Sequence, residues 1–261
     1  MRILVAAALL AATAPLALPA FAPPALANGD TVRVRLSFAR LPVGRMAYTV
    51  RRDGARYTID GTVDVGGVAR VASSASGAFR SRGTLGADGP VPARHELSYR
   101  DGRKEGATSI RFAAGQAPKA TETPPPKPRR DRVPVTDAAL RGAIDPGSAL
   151  LVVAPKDAGA KGVCDRTRKV FDGRNVFRLT MSGTAAGRLK DGTPTRTCRV
   201  RYEPIAGHRT SRDAVKRLRR AKMELTFAAL GGEPHVWGLI AFEVPTRYGT
   251  ARGRARGVDP A

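Results

Sequence analysis

The chain has 261 residues, 42% hydrophobic but only 5% aromatic, with 45 Lys and Arg against 22 Asp and Glu. That supports a Val-, Ala- and Leu-based core in one large β domain or two small ones. Beyond the first 27 residues no stretch approaches the roughly 18–20 apolar residues that a membrane-spanning helix needs.

The first 27 residues, MRILVAAALLAATAPLALPAFAPPALA, read as a cleavable signal peptide. Arg2 is a minimal positive start, Ile3 to Leu18 is apolar, and Ala25-Leu26-Ala27 is the small-x-small pattern cut on export. The rival reading, a single membrane anchor, fits poorly with the prolines near its end. A mature chain of residues 28–261, soluble and periplasmic, is expected. No cysteine lies near the cut, which argues against a lipid anchor.

From Thr31 the pattern has period two: Val32, Val34, Leu36 and Phe38 alternate with polar residues, as in a half-buried strand. LPVG (41–44) breaks it. Met46, Tyr48 and Val50 resume the alternation, Asp53-Gly54 makes a hairpin turn, and Tyr57, Ile59 and Val63 return. Gly66-Gly67 marks another turn or bulge before a strand over 68–82. Asp101-Gly102 turns between strands near 94–99 and 107–112. Reversals this frequent predict an antiparallel meander, a curved sheet or partly open barrel, not βαβ units.

Six prolines in 115–134 predict an exposed loop or linker. A PxxP recognition motif is the sharper alternative. Thr136-Asp137 and Asp145-Pro146 then look like helix starts, so AALRGAI and GSALLVVA are expected as two short helices. Strands resume at 169–171, 176–181, 197–203, 223–227, 236–244 and 246–256. SRDAVKRLRRAK (211–222) is either a basic connection or a short helix. As a helix it would face Val215, Leu218 and Met223 inward and carry Arg212, Lys216, Arg219 and Arg220 outward, as a candidate anion-binding surface or a merely solvated one.

The two cysteines, Cys164 and Cys198, lie 34 positions apart with no metal-ligand spacing around them. In an exported chain two thiols are expected to pair. The alternative is a reactive Cys164 with His208 as its base. No nucleophile elbow, phosphate-binding loop, dinucleotide fingerprint or zinc motif occurs. His95, His208 and His235 are read as structural or solvated, the carboxylates are scattered, and no catalytic residue, metal or cofactor is expected. The formal charge of +23, mostly arginine, suits an anionic partner such as a lipid head group or acidic polymer. The same excess also follows from a GC-rich coding sequence, and export makes nucleic acid an unlikely partner.

LPVGRMAYTV, DPGSALLVV, VFDGRNVFRL and CRVRYEPIAGH, in that order, resemble the markers of the domain of unknown function 3108 family of exported bacterial proteins. The resemblance runs from about Val32 to Tyr248 and carries no catalytic residues. In it Gly44 permits a bend, Asp145 caps a helix, and Asp172-Gly173 turns a hairpin. The expected architecture is also similar to lipoprotein-carrier folds, in which helices plug a curved half-barrel. By that analogy Val34, Leu36, Met46 and Tyr48 would line an apolar groove, the alternative being an ordinary packed core. Three functions are left open: an apolar or amphipathic envelope ligand held in a β groove, an arginine-rich surface binding anionic polymer or lipid head groups, and a hydrolase with an unrecognised site.

Overall fold

The computed structural model describes residues 29–66, 75–128, 130–154, 162–211, 213–231 and 233–260. The expected signal peptide, Gly67 of the expected turn or bulge, the expected strand start at 68–74 and Arg212 lie outside them.

Alternation in the sequence becomes strand almost throughout. β1 (Gly29–Phe38), β2 (Leu41–Asp53), β3 (Arg56–Val65), β4 (Ala75–Gly86), β5 (Gly89–Asp101), β6 (Lys104–Arg111) and β7 (Lys119–Thr123) form one antiparallel meander. A second comprises β10 (Arg166–Phe171), β11 (Val176–Arg188), β12 (Pro194–Ala206), β13 (Met223–Leu230), β14 (Glu233–Thr246) and β15 (Gly249–Pro260). β1 and β15 pair with each other, so the two meanders fuse at a central seam into one sheet. The crossover between them holds α1 (Asp137–Leu140), β8 (Ala143–Ile144), one 3₁₀ turn (Ser148–Leu150) and β9 (Leu151–Val153). β8 runs parallel to β10, whereas β9 pairs with β14.

The sheet curls without closing: β7 ends it on one side, β8 on the other, and the two share no ladder. Its ends nevertheless meet. Arg174, in the β10–β11 turn, clamps Glu122 of β7, and Arg168 of β10 donates to the Asp88 carbonyl in the β4–β5 turn. The crossover fills the concave face, packing its 3₁₀ turn, β8 and β9 against β5. There Leu151, from the crossover, joins Val32, Val34, Tyr48, Val50, Tyr57 and Ile59 in the largest core cluster. Each such side chain contributes about 1.5–3 kcal/mol by leaving water.

Several expectations need correction. LPVG does not break the chain. The reversal lies at Ala39-Arg40, and Leu41 to Gly44 already belong to β2. Val43 is the extra residue of a bulge opposite Leu36 and Ser37. Gly44, beside that bulge, sits where a Cβ would collide with the Asp64 carbonyl, so close approach of β3 explains the glycine better than a bend. AALRGAI yields a single helical turn, capped by the Thr136 hydroxyl, before β8 begins. GSALLVVA is one 3₁₀ turn and then strand, because Leu151–Val153, with β-branched Val152 and Val153, finds a partner in β14. The second α-helix is α2 (Asp213–Arg220), inside the segment that the sequence left ambiguous. The Pro-rich segment opens with an edge strand, β7, before its exposed prolines. Its far end is tied down by Val133, whose amide donates to the His208 carbonyl, and by Asp131, paired with Arg209.

Candidate functional site

Register and the crossover together assemble a buried cluster of Ser, His and Asp. Ser81 on β4 is the cross-strand partner of His95 on β5. The crossover sets Asp145 against both. The Ser81 hydroxyl donates to Asp145 Oδ1 at 2.6 Å and lies 2.8 Å from His95 Nδ1. Asp145 also accepts from the Ser148 amide at 2.9 Å and from the Ser148 hydroxyl. Since that hydroxyl spends its proton on Asp145, the Tyr57 hydroxyl donates to Ser148, at 2.6 Å. Gly147 leaves the space this requires, for a Cβ there would strike the Ser81 hydroxyl.

The cluster invites comparison with a catalytic triad and fails it on geometry. A triad imidazole bridges serine and aspartate through its two different nitrogens. Here His95 Nδ1 meets both, lying 3.1 Å from Asp145 Oδ1. Facing an acceptor-only carboxylate, Nδ1 carries the proton, so it cannot take one from Ser81. Burial raises the Asp145 pKa, but the donors from His95, Ser148 and Ser81 outweigh it and hold the carboxyl below its usual range. Burial likewise pushes the Tyr57 phenol upward. The network fixes the crossover inside the sheet. Of the two settings the sequence allowed for His95, structural or solvated, it occupies the buried one.

The four expected groove residues share that concave face. Val34 and Tyr48 are 2% and 1% exposed and packed in the core, and Leu36 and Met46 are half-buried against it. Tyr48 donates to the Leu239 carbonyl at 2.7 Å, and burial, with the Asp30 charge second, pushes its phenol far up. Alternation identified the apolar face correctly, but the crossover already occupies it there.

A groove does exist, on the opposite face. Ala47, Thr62, Ala78, Ser98, Ala107 and Thr123 are successive cross-strand partners from β2 to β7. Small side chains in one row leave a trough across six strands, about 24 Å long at about 4.8 Å per strand. One stretch encloses about 670 Å³ over Thr62, Ala78, Ser98, Ala107 and Thr123. It adjoins a hollow of about 640 Å³ at the strand ends, where outward Arg35, Arg45 and Arg100 meet Leu36, Val65 and Ala75, whose register is that of the concave face. The walls are charged but mostly paired: Arg80 and Arg51 with Asp60 at 2.5 and 2.8 Å, Arg45 with Asp64 at 3.2 Å, and Arg100 with Glu105 at 2.6 Å. Arg35 has no acidic partner among the described residues and stands directly between Arg45 and Arg254 in the register. Like charges opposed across strands are unfavourable by themselves and suit a place where an anion can sit.

α2 does form the amphipathic helix that its spacing allowed. Leu218 packs on the core around Trp237, while Lys216, Arg219 and Arg220 are exposed. Nearby, Cys164 and Cys198 form the expected disulfide, with a Cα–Cα distance of 5.6 Å. The segment before β10 passes over Gly183 of β11 to reach Cys198 on β12. A cysteine in a disulfide is no nucleophile, and His208 is not engaged with it. Among the described residues no group of His, Cys, Asp and Glu could hold a metal ion, and no helix is long and apolar enough to cross a membrane.

The sequence matches the model of the family described as "Protein of unknown function (DUF3108)" over residues 33–230. The chain belongs to this family. No curated protein matches it. Among solved structures it is similar to the crystal structure of a beta-barrel-like protein of domain of unknown function DUF1849 from Brucella abortus. That match has a TM-score of 0.51 at 12% identity, covering 90% of this chain and 98% of the other. At that identity the likeness concerns the fold alone: the other protein is described as beta-barrel-like, and in this chain one curled sheet stops short of closing.

Proposed function

We propose that this DUF3108 protein is an exported, non-enzymatic protein of the cell envelope that holds an elongated amphipathic ligand along its outer trough. The observation that carries this reading is the row of six small residues adjoining an arginine-rimmed hollow. Methyl groups of Ala47, Ala78, Ala107 and Thr62 offer a narrow apolar floor. Arg35 and Arg45 offer an anionic head group a charged seat at one end. Export is supported by the Ala25-Leu26-Ala27 cleavage pattern and by the disulfide, which favours an oxidising compartment.

The test is native mass spectrometry and solvent extraction of protein purified from periplasm, beside an Ala78→Leu/Ala107→Leu variant that fills the trough from its solvent side. An amphiphile should accompany the parent and be absent from the variant. Equal recovery from both, or none from either, defeats the reading.

A second reading, attraction of an anionic polymer, is favoured by α2, whose Lys216, Arg219 and Arg220 have no acidic partner among the described residues. Salt-dependent polymer binding abolished by charge reversal on α2 would be its signature.

A further inference from the structure

At one end of the seam two hairpin tips lie side by side. The β1–β2 tip is Ala39-Arg40, followed by Leu41, and the β14–β15 tip is Arg247-Tyr248. The Ala39 amide donates to the Thr250 carbonyl at 3.1 Å, which locks one tip against the other. Both present apolar side chains to solvent: Leu41 is 57% exposed and Tyr248 68% exposed. Each carries an arginine. Arg40 projects from the first, and the Arg247 guanidinium lies over the Tyr248 ring, 4.1 Å from its centroid.

The tips are also stiff. Ala39 and Arg40 both adopt left-handed backbone, at φ 48° and 72°. Glycine or asparagine would take those positions at lower cost, so an arginine there is held against its own backbone preference. The Thr246 hydroxyl donates to the Gly249 carbonyl at 2.7 Å and accepts from the Tyr248 amide at 3.2 Å, which fixes the second turn. Behind the tips the outer face continues with Arg35, Arg252 and Arg254, against which Glu243 is the acidic partner, 3.1 Å from Arg252 and 3.5 Å from Arg254.

We infer that the paired tips are a docking surface for an anionic lipid membrane. Leu41 and Tyr248 have the chemistry of side chains that settle at the boundary of head groups and acyl chains. Arg40 and Arg247 stand at the level of the phosphates, and the arginines behind add long-range attraction. Charge complementarity commits the surface to this partner: exposed Leu41 and Tyr248 beside Arg40 and Arg247, backed by three arginines against the one carboxylate of Glu243, match an anionic interface. The inference stands apart from the trough, because Leu41, Tyr248, Arg40 and Arg247 belong neither to its small-residue row nor to its hollow, and only Arg35 behind them is shared.

The experiment is flotation of the mature protein with vesicles of phosphatidylcholine alone and of phosphatidylcholine with about a third phosphatidylglycerol. Three proteins are compared: wild type, the tip variant Leu41→Ser/Tyr248→Ser/Arg40→Glu, and the helix variant Lys216→Glu/Arg219→Glu. A thermal unfolding curve establishes that each is folded. Wild type and helix variant should float with the anionic vesicles and weakly with neutral ones, and the tip variant should bind at least about tenfold more weakly. The inference is overturned if wild type fails to float, if the tip variant floats like wild type, or if the helix variant loses as much. Retention of a ligand in the trough by the tip variant would leave the trough reading intact, so the two can fail separately.

Discussion

Arg174 grips Glu122 with two guanidinium nitrogens, one of them 3.1 Å from Oε1, and so ties the second meander to the last strand of the first. No backbone ladder joins β7 to β8, so this pair does at the open side what hydrogen bonds do elsewhere. The Glu122 side chain is only 11% exposed. Arg174→Ala leaves that carboxylate without its fork and should cost about 1–2 kcal/mol. Hydrogen exchange is the sharper readout. Amides of β7 should exchange faster while those of β1 and β15 are unchanged, and uniform protection in the variant would show that the pair does not hold the edge.

The Asp145 network makes stability depend on pH. Its folded pKa lies below the unfolded value of about 3.9. The carboxylate therefore contributes its full stabilisation above about pH 4, and loses it as pH falls through the folded value. Asp145→Asn should cost about 2–4 kcal/mol at neutral pH, because an amide brings donors to face Ser81, Ser148 and His95. Urea titrations from pH 7 to pH 3 should show part of the acid slope missing in the variant. Equal slopes would mean that other carboxylates carry it.

The same geometry predicts inertness. Ser81 has a histidine that already holds its proton on the facing nitrogen, so a serine-directed fluorophosphonate should leave the native protein unlabelled. Stoichiometric modification at Ser81, read by peptide mapping, would revive the hydrolase alternative.

What could be read in advance follows the range of each signal. Alternation such as Val32, Val34 and Leu36 is local, as are the turns at Asp53-Gly54, Asp101-Gly102 and Asp172-Gly173, and all of these became strands and hairpins. The fusion of β1 with β15 is not local, nor is the burial of the crossover under Tyr57 and Ser81. GSALLVVA misled because a helix start at Asp145 and a strand partner for Leu151–Val153 compete, and only the fold supplies the partner. The trough was invisible for a related reason. Ala47, Thr62, Ala78 and Ser98 are unremarkable one by one, and only register lines them up.

Proteolysis should find the segment between β7 and α1. Thr123 to Pro128 are exposed, while Lys119–Thr123 on one flank and Asp131 to Val133 on the other are hydrogen-bonded to β6 and to residues 207–210. A brief digestion with trypsin should nick after Arg129 or Arg130, since Lys127 precedes a proline, and leave two fragments associated. A first cut elsewhere in the described residues would mean that those flanking contacts do not hold.

The disulfide offers the cleanest energetic test. Cys164 and Cys198 enclose a loop that contains β10 and β11, so reduction frees a 34-residue stretch in the unfolded chain. The chain-entropy model values that constraint at about 3–4 kcal/mol. Both sulfurs are buried beside Trp237, Phe227 and Val200, so a serine adds the cost of an awkward hydroxyl. Cys164→Ser and Cys198→Ser each break the same bond and should destabilise to a similar extent. The double variant should then lie close to either single, far short of their sum, because the shared constraint can be lost only once. Urea unfolding of the oxidised wild type and the three variants measures this directly. Additive losses would mean that each cysteine acts through its own packing. A wild-type stability unchanged by reductant would mean that the bond does not constrain the unfolded chain.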